Sequence, residues 1–335
     1  MALDHQNLYD EEALRVEEKK ELPDELLTQI AYKLIDIKDY ICFGAVCKLW
    51  FSMFINEIQY HIPQQVPVLM FPDDDEDTQT RRFYSLTEKR LHHSRLQVPQ
   101  NRIVINSSCG WLRKPCIGLA MRGAFNRLAY CKPGDTSWTH IDLSYTNIED
   151  VTYYKNQFHI EGDYYSCDLK DLQHPKVSQL GKLPNVFWNG PIWNYIVESN
   201  GDLLVIARAR KWAYDYDDQS YLTRQFFVFK LDPIELKWIE VNTLNGYMLF
   251  LGQNSSLSLL ASDFPGCQPN CIYFVDDQNQ TYVDHNIVYY GADPRQRKPE
   301  PHDMGVFNLV DGSFQPFYLE INKILPRPIW IEPTM

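Results

Sequence analysis

Residues 22–54, "LPDELLTQIAYKLIDIKDYICFGAVCKLWFSMF", and the chain beyond about residue 80 keep different hydrophobic rhythms. In the first stretch Leu26, Leu27, Ile30 and Leu34 recur at spacings of three and four, the stripe of an amphipathic helix. Pro23 suits a helix start, and Asp24 and Glu25 suit the positive end of its dipole. Asp36 is placed to cap a second helix, with Asp39 at capping-box distance, and the apolar content from Val46 to Phe54 continues into a third. Past residue 80 that period is lost. Runs such as "DLLVIAR", "RQFFVFKLD" and "CIYFVDD" are rich in Val, Ile, Phe and Tyr and are broken by turn dipeptides, among them Asn200-Gly201 and Asp311-Gly312. The expectation is a small helical head on an all-β domain.

A unit of this size is below the roughly 40 residues at which a single core usually suffices. Its spare apolar surface therefore either caps the β domain or forms an interface with another protein. The order Leu22-Pro23, acidic residues, Leu26-Leu27, Ile30, and then "DIKDYICFGAVCKLW" with Val46-Cys47-x-x-Trp50 resembles an F-box. That is the segment by which substrate adaptors dock onto the Skp-type subunit of cullin ubiquitin ligases. The resemblance implies that Leu22, Pro23, Leu26, Leu27, Ile30, Val46, Cys47 and Trp50 contact that subunit, and through it the cullin and RING subunits. Phe51 stands where an Arg commonly follows the Trp, a change expected at the surface.

Within the β region a plan repeats. "LAYCKPGDTSWTHIDL" (128–143) and "FVFKLDPIELKWIEVNTL" (227–244) each run strand, turn, Trp and an apolar position, and Trp138 and Trp238 are 100 residues apart. "GVFNLVDGSFQPFYL" (305–319) is a weaker third copy. At roughly 45–50 residues per blade the length fits a propeller of five or six blades, with each Trp filling the space between neighbours. The domains expected are an N-terminal segment without order (1–20), the F-box (21–60), an acidic linker around Asp73–Asp77 (61–80) and a kelch-like β-propeller (81–335).

The β region also resembles, over almost its whole length, the plant F-box proteins that carry the kelch-like domain of unknown function number 295, a KIB-type β-propeller. The stretches that carry the likeness include "GWL" (110–112), "IEDVTYYKNQFHI", "VESNGDLLVIAR", "LFLGQNSS", "FPGCQPNCIYF", "DMGVFNL" and "PRPIWIEP". It implies a plant source and an adaptor role in an SCF-type (Skp-cullin-F-box) ligase. One departure stands out: only 15 residues, "RKPCIGLAMRGAFNR" (113–127), separate "GWL" from "LAYCKPGD", room for one strand and a turn where the family has more. One blade is therefore expected to be incomplete, and a nonproductive adaptor is one alternative reading.

The remaining sequence excludes several classes. A net charge of −12 repels phosphate backbones, which argues against nucleic acid, and "RQRK" (295–298) reads as a solvated loop. No apolar run reaches the roughly 18 residues of a membrane span, and the charged start does not read as a signal peptide. Cytoplasm or nucleus is the expected location. Of eight cysteines only Cys267 and Cys271 lie close, with no second pair at zinc spacing, so free thiols are expected and no cofactor or metal. No phosphate loop, nucleophile elbow or metalloprotease helix occurs, and the chain is not expected to be an enzyme. Trp188, in the aromatic stretch 186–199, and Trp212, Tyr214 and Tyr216, in the long aromatic-acidic segment 211–221, are the candidates for binding a target protein. A propeller that binds a carbohydrate or small ligand, with the F-box as a regulatory handle, is the other alternative.

Overall fold

The computed structural model describes residues 22–34, 37–56, 65–71, 80–95, 118–122, 127–131, 135–141, 148, 150–155, 157–161, 165–168, 176–180, 183–184, 186, 188–212, 221–252, 256–276, 303–317 and 328–331. The chain divides into two compact units, residues 1–64 and residues 65–334.

Among the described residues the first unit holds three short helices: α1 (Asp24–Ala31), α2 (Ile37–Gly44) and α3 (Lys48–Asn56). Pro23 precedes α1 and its carbonyl accepts from the amides of Leu26 and Leu27, closing the first turn. Leu27, Ala31, Tyr40, Phe43, Met53 and Phe54 form the core. Gly44 lets α2 approach α3, since a Cβ there would lie 3.2 Å from the Phe54 ring. The proposed cap at Asp36 and the 1–20 segment lie outside the described residues.

In the second unit the described strands form five sheets. In the first, β1 (Val68–Phe71), β2 (Thr80–Ser85) and β3 (Arg90–Arg95) are joined by the last described strand, β20 (Ile329–Ile331), in the order β20-β1-β2-β3. The second sheet is β4 (Gly118–Arg122), β5 (Arg127–Cys131) and β6 (Thr139–His140). The third runs β7 (Asp150–Tyr154), β8 (Gln157–Glu161), β9 (Tyr165–Asp168) and β10 (Lys176–Gln179). The fourth is the meander β11 (Ile192–Ser199), β12 (Asp202–Trp212), β13 (Tyr221–Asp232) and β14 (Lys237–Val241). The fifth contains β15 (Tyr247–Leu251), β16 (Leu257–Leu260), β17 (Cys271–Phe274), β18 (Gly305–Asn308) and β19 (Phe314–Pro316), ordered β16-β15-β17-β18-β19 with β15 and β17 parallel.

Asn200-Gly201 makes the expected two-residue turn between β11 and β12, with φ of 52° and 80° at the two positions. Alternate residues of the fourth sheet face opposite ways. Tyr195, Val197, Leu204, Ile206, Phe226 and Val228 pack toward the fifth sheet, and Ile196, Leu203, Val205, Ala207, Phe229 and Leu231 toward Leu180, Leu183 and Tyr154. A sheet covered on both faces explains why "LLVIA" is continuously apolar instead of alternating.

Polar groups tie the sheets together inside this core. Arg208 on β12 is fully buried; its guanidinium donates to the Thr223 hydroxyl (2.7 Å), the Tyr195 hydroxyl (3.0 Å), the Val275 carbonyl (2.8 Å) and the Asp303 carboxylate (3.0 Å). The Asp150 carboxylate on β7 accepts from the Ile196 amide (3.0 Å) and the Ser256 hydroxyl (2.6 Å), joining the third, fourth and fifth sheets. Each such group is buried with hydrogen-bonding partners, which offsets its lost hydration.

The structure corrects two expectations about organisation. The 61–80 stretch is not a linker throughout: "VLMF" at 68–71 is strand β1, paired with β2 on one side and with Ile329–Ile331 on the other. Four apolar residues cannot announce a strand whose partner lies some 260 positions away. The three repeated segments do occupy one place, the hairpins β5–β6, β13–β14 and β18–β19, but the tryptophans differ. Trp238 is buried against Leu180, Leu183 and Phe229, whereas Trp138 is 46% exposed. The second sheet has three strands among the described residues, and the described residues of the short interval 113–127 are strand β4 and Arg127, where β5 begins.

Candidate functional site

Helix α1 is apolar on two faces. Leu27 and Ala31 point into the unit's core and are wholly buried, while Leu26 and Ile30, one position earlier in each turn, are 45% and 40% exposed. Leu22 precedes them by one further turn and is also exposed. A helix that only had to cover this core would carry polar residues on its outer side. Val46 and Cys47, at the turn from α2 into α3, are exposed as well, as is Pro23. Trp50 is half-buried, its ring 4.5 Å from that of Phe43.

Of the eight residues expected to face a partner, then, Leu22, Pro23, Leu26, Ile30, Val46 and Cys47 are exposed, Trp50 presents part of its surface, and Leu27 does not qualify. Leu27 is corrected to a core residue. Sequence alone gave two adjacent leucines in one stripe, and only the packing of α1 decides which of them turns inward. Tyr32 and Phe51, 52% and 56% exposed, are apolar surface that the motif did not single out. Their signal is their position: each neighbours a buried core residue, Ala31 or the half-buried Trp50, and so falls off the inward stripe.

On the β unit, the structure brings Trp188 and Trp193 together around Arg210. The Trp188 indole donates to the Arg210 carbonyl at 2.7 Å, and the Arg210 guanidinium lies over the Trp193 ring, 5.6 Å from its centre. Gly190 crosses so close that a Cβ there would lie 2.3 Å from the same carbonyl oxygen. Residues 188–190 are thus strapped across β12, and the Trp188 nitrogen is already engaged. Trp212 ends β12 paired with Tyr221, at the connection end of the β12–β13 hairpin; Tyr214 and Tyr216 lie outside the described residues.

Cys271 is buried and Cys267 half-buried, both as free thiols. Burial raises the Cys271 thiol to about 11 and pushes that of Cys267 up too, so both are neutral near pH 7. Among the described residues no group of three His, Cys, Asp or Glu side chains could hold a metal ion.

Comparison with known proteins gives this geometry its relatives. Residues 113–308 match the KIB1-4 beta-propeller family, and the chain belongs to that family. It is 22% identical over 256 residues to the putative F-box protein At5g55150 of Arabidopsis thaliana, an overlap covering 73% of this chain and 66% of that protein. It is 29% identical over 173 residues to the Arabidopsis F-box protein At2g26160 (48% of this chain, 50% of that protein), and 24% identical over 225 residues to the Arabidopsis F-box protein SKIP23 (61% and 51%). The chain thus matches between half and two thirds of the length of these relatives. The resemblance to plant F-box proteins with a KIB-type propeller is borne out.

Proposed function

We propose that the chain is a substrate-recognition adaptor of an SCF-type ubiquitin ligase. The observation that carries this reading is the division of labour in α1, where Leu27 and Ala31 complete a small core while Leu22, Leu26 and Ile30 hold apolar surface out to solvent. With Pro23, Val46, Cys47 and the open edge of Trp50 they are the contact set for a Skp-type subunit. Burying what is left exposed of one such side chain is worth about 1 kcal/mol, and the sum over the set works against the motional freedom lost on association. The F-box names of the relatives support the same reading.

The β unit then holds a target protein near a ubiquitin-loaded conjugating enzyme on the cullin and RING subunits. It raises the effective concentration of a target lysine and supplies no catalytic group. The connection end of the β12–β13 hairpin, where Trp212 closes β12, is the target-facing region in this proposal, with Tyr214 and Tyr216 in the connection. Cytosol or nucleus is the compartment where such an assembly works.

The test is co-expression with a plant Skp-type subunit and the N-terminal half of a plant cullin, followed by size-exclusion chromatography. Co-elution of all three chains is the expected result. Co-elution of the Skp-type subunit with cullin while this chain, folded, elutes alone would overturn the proposal.

A further inference from the structure

A cleft of about 590 Å³ opens within the β unit between the first and fifth sheets, within the range of small-molecule sites. Its first wall comes from Tyr84 on β2 and the β2–β3 turn; the second from Tyr273 on β17 and from Phe314 and Phe317 in and just beyond β19; its floor is the turn at Gly266–Gln268. None of these residues was singled out by the sequence as a ligand site. The segments lie far apart in the chain.

The aromatic side chains behind the lining are held in place by one another, and Tyr84 and Tyr273 are buried. The Tyr273 ring stacks on Phe250 at 4.8 Å with 14° between planes, and its hydroxyl accepts from the Gln268 amide at 3.2 Å. Phe317 leans on Trp330, ring centres 6.3 Å apart, and faces Tyr84 at the same separation.

The charge of the cleft is opposite to that of the chain. In a protein of net charge −12, Lys89 is the sole ionic side chain among the described residues that line the cleft. Lys89 sits in the β2–β3 turn at φ 52° and is exposed. The acid beside it is committed elsewhere: the Glu88 carboxylate pairs with Arg90 at 2.6 Å and lies 2.7 Å from the His92 imidazole. The other polar groups of the lining, including the side-chain amides of Gln268 and Gln315 and the Thr87 hydroxyl, are neutral and able to donate hydrogen bonds.

From this juxtaposition we infer that the cleft is a binding site for a small planar organic anion, an aromatic carboxylate in its simplest form. The flat body lies against Phe314 and Phe317, which keep surface open to solvent and are backed by the buried Tyr84 and Tyr273, and the carboxylate sits at the rim by Lys89 and Thr87. The inference is independent of the adaptor reading, since it concerns the β unit alone.

The probe is 2-naphthoate, with the uncharged 2-naphthamide as its shape-matched control, each titrated into the full chain and its Lys89→Gln variant by isothermal calorimetry. Lys89 is exposed, so the variant folds as the wild type does, checked by its melt. Saturable naphthoate binding is expected, at least tenfold tighter than naphthamide. Lys89→Gln brings naphthoate down to the level of the amide and leaves the amide unchanged. Equal affinities of the two probes for the wild type, a preference for naphthoate that survives Lys89→Gln, or no saturable naphthoate binding at millimolar concentration would each overturn the assignment.

Discussion

Adjacent leucines in α1 have opposite fates, and their substitutions separate folding from binding. Leu27→Ala opens the small core and should cost about 2–5 kcal/mol, seen as loss of helical signal on heating, whereas Leu26→Ser should leave the melt within about 0.5 kcal/mol. In the β unit, Asp303→Ala leaves the buried Arg208 guanidinium without its carboxylate and should lower stability by about 3–5 kcal/mol in urea titrations. His159 on β8 is buried, and burial pushes its imidazole below the usual 6.5. As the folded state resists the proton that the unfolded chain accepts, stability present above about pH 6.5 is lost as the pH falls from there through the depressed folded value. His159→Gln should flatten the acid limb of a denaturant-midpoint profile by up to about 1.4 kcal/mol per pH unit. An unchanged acid limb would show that another group sets it.

At the scale of elements, the change of period from helix to strand and the Asn200-Gly201 turn were legible because both are local: the spacing of side chains and two residues able to take positive φ decide them. The repeated hairpins were legible too, as a turn followed by an aromatic. What the repeat could not carry was burial. Trp238 is covered by Leu180 and Leu183, which come from the connection ahead of the fourth sheet, while Trp138, at the matching place in the second, is exposed. Trp238→Ala should therefore cost about 3–5 kcal/mol and Trp138→Ala less than about 0.5, a contrast that thermal melts of the two variants would resolve. Strand β1 escaped notice for a different reason. Its partner β20 is the far end of the chain, and the wholly buried Trp330 there donates to the Leu251 carbonyl at 3.0 Å, joining the first sheet to the fifth. The aromatic cleft was invisible in sequence on the same ground, being assembled from three separated segments.

For the whole molecule, two compact units with different secondary structure match the two tasks proposed, docking and target selection. The family match places the propeller in residues 113–308, while the helices that carry the docking proposal lie ahead of it. The central claim is that the outward face of α1 is a partner surface and not a part of the fold. Its most direct test is a calorimetric titration of a plant Skp-type subunit into the full chain and into a Leu26→Ser, Ile30→Ser double variant, with a thermal melt of each. Saturable binding by the wild type, weakened roughly a hundredfold or more in a double variant that melts as the wild type does, is the predicted result. A folded wild type that fails to bind, or a folded double variant that binds equally well, would contradict it.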